Sequence, residues 1–373
     1  MNDPVVPGYG GSSLADLSGS LLGALGIGDG NVLGLAPADR VCLFLVDGLG
    51  AELLRDHPEA APFLSSLAER TLTAGFPSTT VTSLCSIGTG MTPGEHGMLG
   101  MMLAVPGAGH LFNCLRWTLP DHQVMDPLTW QPADTVYQRA SALGLAPAYV
   151  GPAQFQGTGL TEAVYRGVTY LPADTVDERV EQVRRAMAEP RAHVTVYYGD
   201  LDAMGHLVGW GGKEWLEQLA IVDNLAERLA ATLPPGSAMY VTADHGMVNS
   251  TEKIDAETVP ELVQGVAMLG GEARARHVYA AEGAAADVLG TWRSVLDGKA
   301  WVVSRQEAVD EGWFGPRVRA EWLPRIGDVV AVPYGDLAIT ASVNHSFEAQ
   351  FTGYHGSLTA AEQHVPLLEV STR

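Results

Sequence analysis

The chain has 373 residues, 46 % hydrophobic and 17 % charged, which supplies a large buried core and excludes a chain disordered by composition. Its 22 Lys and Arg against 43 Asp and Glu give a formal charge of −21, which argues against a nucleic-acid polymer as partner, because backbone binding wants a basic footprint. A small anionic substrate stays open, since bound metal cations set the local field.

Residues 1–38 are rich in Gly, Ser, Leu and Ala and read as an N-terminal extension packed on the core. Leu14, Leu17, Leu21 and Leu25 fall at helical spacing, so a short docking helix is expected. This apolar patch is cut by Ser and Gly and lacks a basic flank, so neither a signal peptide nor a membrane span is expected. Residues 41–46 form an unbroken apolar run ending in Asp47, Gly48 and Gly50. Such a run reads as a strand buried on both faces of a parallel sheet, with Asp47 at its carboxyl end, where open α/β sheets place ligands. A helix is expected over 62–70. After a turn at Pro77 and Ser78, a second is expected over 80–88, its start suited to a phosphate. Residues 92–97 read as a loop, and 101–130, with Phe112, Trp117 and Trp130, as a lid or pocket wall.

Helices are expected over 135–143 and 175–189, a short strand over 148–150, and a strand over 194–198 that runs into Asp202 and His206. The clearest amphipathic helix spans 213–232, followed by a strand over 239–242 ending at Asp244-His245-Gly246. Residues 257–335 change character and read as an inserted α+β subdomain. Residues 39–256 and 336–373 are assigned to the catalytic core. Alternating strand and helix signals predict an α/β fold, a central mostly parallel sheet with helices on both faces. Cys42, Cys85 and Cys114 are odd in number and include no C-x-x-C, which favours a reducing, cytoplasmic setting.

Four segments carry chemistry: Asp47, Thr79-Thr80, Asp202 with His206, and Asp244-His245. His355, between Tyr354 and Gly356, is a fifth contributor. Taken singly, each is an ordinary turn, cap or surface residue. Together, beside glycines and mostly at strand ends, they match a pair of divalent cations, which take imidazole nitrogen and carboxylate oxygen and clamp a phosphate between them. A Thr hydroxyl would then be the nucleophile, activated by the metal. His96 lacks a matching carboxylate and reads as structural. His57, His110, His122, His193, His277, His345 and His364 read as surface or core.

These residues resemble the alkaline phosphatase superfamily, and within it the nucleotide pyrophosphatase/phosphodiesterase branch. The resemblance rests on Asp47-Gly48, the segment from Thr80 to Thr89-Gly90, Glu95-His96-Gly97, Asp202 to His206, Asp244-His245-Gly246 and Tyr354-His355-Gly356, in family order. It implies a hydrolase with two divalent ions. Zinc is favoured by ligand type, with manganese or iron as alternatives. By that likeness Asp202, His206 and His355 hold one ion. Asp47, Asp244 and His245 hold the other, which also touches the nucleophile Thr80. Thr80 is preferred to Thr79 because the family spaces its nucleophile from a Thr-Gly pair as Thr80 is spaced from Thr89-Gly90.

The sequence also departs from the family. Phe-Pro-Asn does not follow Thr80, and Met101 stands where the branch places an Asn that binds a phosphate oxygen. Asn113 or the Thr79 hydroxyl is the candidate replacement. The sulfatase branch is disfavoured, because Cys85-Ser-Ile-Gly lacks its nucleophile signature. The expected activity is hydrolysis of phosphodiester or nucleotide pyrophosphate bonds in a small anionic substrate, through a phospho-threonine. A phosphomonoesterase or phosphonate hydrolase is the alternative, and a non-catalytic metal-binding protein is disfavoured by the complete ligand set. A diester site needs an apolar wall, for which Phe112, Trp117 and Tyr198 are candidates. A monoester site needs cationic donors, for which the cluster around Arg274 is a candidate.

Overall fold

The computed structural model describes residues 3–28, 30–121 and 123–372; His122 lies outside them. Its main sheet has seven strands in the order Glu69–Thr73, His364–Ser371, Ser237–Thr242, Arg40–Val46, Ala192–Tyr198, Ala148–Gly151 and Thr169–Pro172. The strand that the apolar run predicts is the middle one, and all of Val41 to Val46 is buried. It pairs in parallel with both neighbours. His364–Ser371 runs antiparallel to the strands on either side of it. The result is the expected mixed, mostly parallel α/β sheet.

Register explains why the candidate residues meet. Val46 is level with Tyr198, and Leu45 with Thr242. Three adjacent strands therefore end together, and the residues just beyond them share one edge. Gly48 makes the turn after Asp47 at φ +75°, where a side chain would be strained. A Cβ there would lie 3.0 Å from that of Asp202, so the glycine also lets the two loops close on each other.

Helices cover the sheet. The amphipathic prediction holds for Lys213–Ala231, which buries Trp215, Leu219, Val222, Leu225 and Leu229. Leu14, Leu17 and Leu21 are fully buried in a 3-10 turn and the helix Leu17–Ala24, which pack on the helix Thr80–Thr89. Two expectations fail. The helix over 62–70 stops after one turn, Pro62–Ser65, because Glu69–Thr73 is taken up as an edge strand pairing with 364–368. Tertiary pairing overrides a weak local propensity here. The loop at 92–97 contains the helical turn Pro93–His96, closed by a capping box between Thr92 and Glu95.

After the Asp244 edge the chain makes a four-stranded antiparallel sheet, in the order Val266–Glu272, Ala275–Ala280, Val329–Pro333 and Ala300–Ser304. It has its own apolar cluster, including Leu269, Val278, Trp292, Leu296, Val329 and Ile339. Leu337, Ile339 and Ala341 join this cluster from beyond residue 335, so the small α+β unit reaches past the bounds 257–335 expected for the insertion. The bidentate pair of Arg274 with Glu362, at 3.1 and 2.7 Å, ties it to the main body. Its return is set by Gly353–Tyr354 pairing antiparallel with Val248–Asn249. No helix among the described residues is long and apolar enough to cross a membrane.

Candidate metal centre and its cleft

All seven residues singled out as metal contacts come together. Asp47 is 3 % exposed, and Asp244 and His245 are fully buried. His245 Nε2 lies 3.4 Å from Asp47 Oδ1 and 3.4 Å from Asp244 Oδ2. Asp202 and His206 are one turn apart on the helix Asp200–Val208, and His206 Nε2 is 3.3 Å from Asp202 Oδ2. His355 Nε2 is 3.2 Å from His206 Nε2 and 3.9 Å from Asp202 Oδ1. His245 and His355 stack with ring centroids 3.6 Å apart. By proximity His245 therefore belongs to two groups, one with Asp47 and Asp244 and one with Asp202 and His355. It stands where the two halves of the cluster join.

Backbone carbonyls aim the three imidazoles. His206 Nδ1 faces Gly353 O at 2.8 Å, His245 Nδ1 faces Gly246 O at 3.0 Å, and His355 Nδ1 faces Ser78 O at 2.9 Å. A carbonyl only accepts, so each Nδ1 carries the proton and each Nε2 lone pair points into the cluster, as metal-binding histidines are commonly arranged. Tyr197 donates its hydroxyl hydrogen bond to Asp47 Oδ2, and Gly48 N–H donates to Asp244 Oδ1 at 3.1 Å. One oxygen on each of the three carboxylates, Asp47 Oδ1, Asp202 Oδ1 and Asp244 Oδ2, is buried without a hydrogen-bond partner. Burial, then repulsion from Asp244 and Asp202, pushes the Asp47 carboxyl well above the usual carboxylate range. Burial also raises Asp244, and burial with His245 and His206 nearby holds His355 well below the usual imidazole range. Buried acceptors of this kind need a cation. The donor set fits two divalent ions.

Thr80 is the first residue of the helix Thr80–Thr89, with Thr79 as its N-cap. Thr80 Oγ1 lies 3.3 Å from His245 Nε2, on the cluster. Both threonines line a cleft of about 770 Å³ together with Asp202, His206 and His355. Asn113 lines it too, but its Oδ1 accepts from the N–H groups of Leu115 and Arg116 at 3.0 and 2.8 Å, so only its amide nitrogen end is available to a ligand. His96 is structural, as expected: Nδ1 accepts from Met98 N–H at 3.1 Å, and Nε2 is 3.0 Å from Ser86 Oγ.

The expectations for the wall need correction. Phe112 and Trp117 are buried in an aromatic cluster with Trp130, and Tyr198 is buried against Gln218, so none of them lines the cleft. Arg274 is fully buried and committed to Glu362 and the Gly335 carbonyl. The wall is made by Met101, Leu111, Leu115, Met268, Phe347 and Phe351, and Arg116 is the single Arg or Lys among its described lining residues. His110 and His345, read from sequence as surface or core, also line it. Sequence reading missed Tyr197 and Glu272. Glu272 carries a faint signal, as a lone acid ending an apolar strand; Tyr197 carries none.

The solved structures of similar fold include murine ectonucleotide pyrophosphatase / phosphodiesterase 5, at 17 % identity and TM-score 0.69, with 88 % of this chain and 87 % of that chain covered. Human ectonucleotide pyrophosphatase / phosphodiesterase 5 matches at 18 % identity and TM-score 0.69, covering 89 % and 87 %. Phosphonoacetate hydrolase from Sinorhizobium meliloti, in complex with phosphonoacetate, matches at 19 % identity and TM-score 0.68, covering 90 % and 91 %. No curated protein matches the chain in sequence. The family model for type I phosphodiesterase / nucleotide pyrophosphatase matches residues 41–358, from the central strand to just beyond His355. That span takes in every residue of the cluster, and the chain belongs to this family of phosphoester hydrolases, within the alkaline phosphatase superfamily.

Proposed function

We propose that the protein hydrolyses phosphodiester or pyrophosphate bonds of small substrates through a covalent phospho-threonine at Thr80. The observation that carries this is Thr80 Oγ1, held at a helix start 3.3 Å from His245 Nε2 and open to the cleft. Asp202, His206 and His355, linked by contacts of 3.2 to 3.9 Å, would hold one divalent ion, and Asp47, Asp244 and His245 the other, with zinc favoured by the nitrogen and carboxylate donors. Bound there, the ions supply Lewis acidity to the nucleophile and to the phosphoryl oxygens.

Thr80 Oγ attacks phosphorus in line, the bond to the leaving oxygen breaks, and water then cleaves the Thr80 ester. The free N–H groups at the start of its helix favour the negative charge of the transferring group. Thr79 and the nitrogen end of Asn113 are the nearby groups suited to bind a phosphoryl oxygen. The apolar wall and the single Arg116 favour a diester, whose second substituent needs apolar contact, over a dianionic monoester. The phosphonate alternative draws on the fold shared with phosphonoacetate hydrolase. A reducing, cytoplasmic setting belongs to the same proposal and rests on three free, buried cysteines.

The test compares wild type with Thr80→Ala on a chromogenic phosphodiester, a nucleotide phosphodiester and a phosphomonoester, with and without zinc. Diester turnover should exceed monoester turnover and fall about 10³-fold or more in the variant. Monoester preference would overturn the diester assignment. Undiminished turnover by Thr80→Ala would overturn the nucleophile.

A further inference from the structure

Among the residues lining the cleft, two polar atoms are not used by the proposed chemistry. Glu272, last residue of the strand Val266–Glu272, is 4 % exposed and lines the cleft. Its Oε2 accepts from Met101 N–H at 2.8 Å, while its Oε1 is buried with no partner. The Glu272 Cγ lies 3.1 Å from where a Gly356 Cβ would sit, so the carboxyl is packed beside the loop that carries His355. His345 Nε2 is the second unpartnered buried atom, on another cleft-lining residue.

The neighbouring cations do not satisfy them. Arg276 is paired with Glu348 at 2.7 Å and donates to Ile339 O at 2.7 Å. Arg274 is committed to Glu362. Burial, with Glu348 adding to it, raises the Glu272 carboxyl to about 8 against the lowering by Met101 N–H and Arg276, so Oε1 becomes an ionised acceptor when a cation such as a ligand ammonium binds beside it. Burial and Arg276 hold His345 below the usual imidazole range, against Glu348 and the Leu269 backbone, so its ring is neutral. Two unpartnered polar atoms, the Glu272 Oε1 and the His345 Nε2, therefore belong to cleft-lining residues, and the described lining offers no lysine or arginine except Arg116, which is exposed. An unpaired buried acceptor costs free energy that a ligand's donor recovers, so such a pair discriminates strongly.

We propose that Glu272 Oε1, seconded by His345 Nε2, is a specificity contact that receives a hydrogen-bond-donating substituent of the substrate, a hydroxyl or an ammonium, a short reach from the phosphoryl group. This rests on the reading of the cleft as a phosphoester site, but it makes a separate demand. It favours hydroxyalkyl or aminoalkyl substituents over plain alkyl ones.

The test is equilibrium binding of ethylphosphonate, 2-hydroxyethylphosphonate and 2-aminoethylphosphonate to the zinc-loaded protein, wild type and Glu272→Gln. The Gln side chain can still accept from Met101 N–H through its oxygen, but it presents an NH2 donor where Oε1 stood. Wild type should bind the hydroxyl or the amine ligand about tenfold or more tighter than ethylphosphonate, the size expected of a hydrogen bond to a charged group. The two ligands separate hydroxyl from ammonium recognition. In Glu272→Gln the advantage should fall below about threefold, with ethylphosphonate binding unchanged within about twofold. Equal binding of all three by wild type, or an advantage that survives in Glu272→Gln, would overturn the proposal. If Glu272→Gln loses ethylphosphonate as well, His345→Ala carries the same comparison, and an undiminished advantage there would count against it. A protein that shows the preference yet hydrolyses no diester would sink the diesterase reading and leave this one standing.

Discussion

Tyr197 shows what a single hydroxyl contributes to a buried charged cluster. It occupies Asp47 Oδ2 and so leaves Oδ1 alone to face His245. Tyr197→Phe would free a second buried carboxylate oxygen and let the carboxyl rotate. Zinc retention in competition with a chromogenic chelator should weaken about tenfold, the usual cost of losing such an outer partner. Retention equal to wild type would show that Asp47 is held by other means. At this scale the sequence was informative where an acid follows a strand end just before a glycine, as Asp47 does before Gly48 and Asp244 two residues before Gly246. It was silent where a role depends on what a side chain meets across the sheet. Phe112 and Trp117 illustrate the limit: aromatic content predicts a wall, but only the fold decides which aromatics face inward, and these two pack on each other with centroids 5.1 Å apart.

Among the elements, the helix Thr80–Thr89 is packed too closely at one point to admit a side chain. A Cβ on Gly88 would fall 2.1 Å from the Val164 carbonyl oxygen at the end of the helix Gly159–Val164. In an isolated helix Gly→Ala would gain about 1 kcal/mol. Here the overlap wins, because a backbone carbonyl cannot move aside, and Gly88→Ala should cost about 1–3 kcal/mol net. The urea midpoint reads that loss. Turnover should fall with it, since a displaced helix carries Thr80 away from His245; a variant as stable and active as wild type would refute the argument. The helix itself was legible, with Pro77 and Ser78 before it and Gly90 after it at φ +67°. The failed helix over 62–70 was not, because its second half is captured by pairing with 364–368, almost three hundred residues away.

For the molecule as a whole, three buried histidines far apart in the chain make stability depend on acid. His277 Nδ1 accepts from Gly327 N–H and its Nε2 faces Leu99 O, both at 3.0 Å, which fixes the neutral ring. Burial lowers His277 and His193 from 6.5 to about 4, and His96 to about 3. Between pH 6.5 and about 4 the unfolded chain takes up protons that the native one refuses. Stability therefore falls as pH drops through that window, by about 1.4 kcal/mol per pH unit for each histidine, and this contribution is fully present above 6.5. Urea titrations of chelator-treated protein at pH 7 and pH 5 measure it. His277→Gln should show a shallower dependence, and a slope equal to wild type would rule His277 out. The broad architecture was readable because buried parallel strands and amphipathic helices have distinct periods. The path of the insertion was not, because its attachment rests on a few pairs such as Arg274 with Glu362.

The antiparallel pairing of Gly353–Tyr354 with Val248–Asn249 has a consequence in time. His355 comes 110 residues after His245, and the strand His364–Ser371, which lies between two others in the main sheet, comes later still. A chain growing from its N-terminus has Asp47, Asp202, His206, Asp244 and His245 long before it has either. Until the insertion is made and the ribbon brings the chain back, the cluster lacks one imidazole and the sheet is split between Ser237–Thr242 and Glu69–Thr73. Completion of the Asp and His cluster and closure of the sheet are therefore one late event, and a nascent or truncated chain that stops in the insertion has neither.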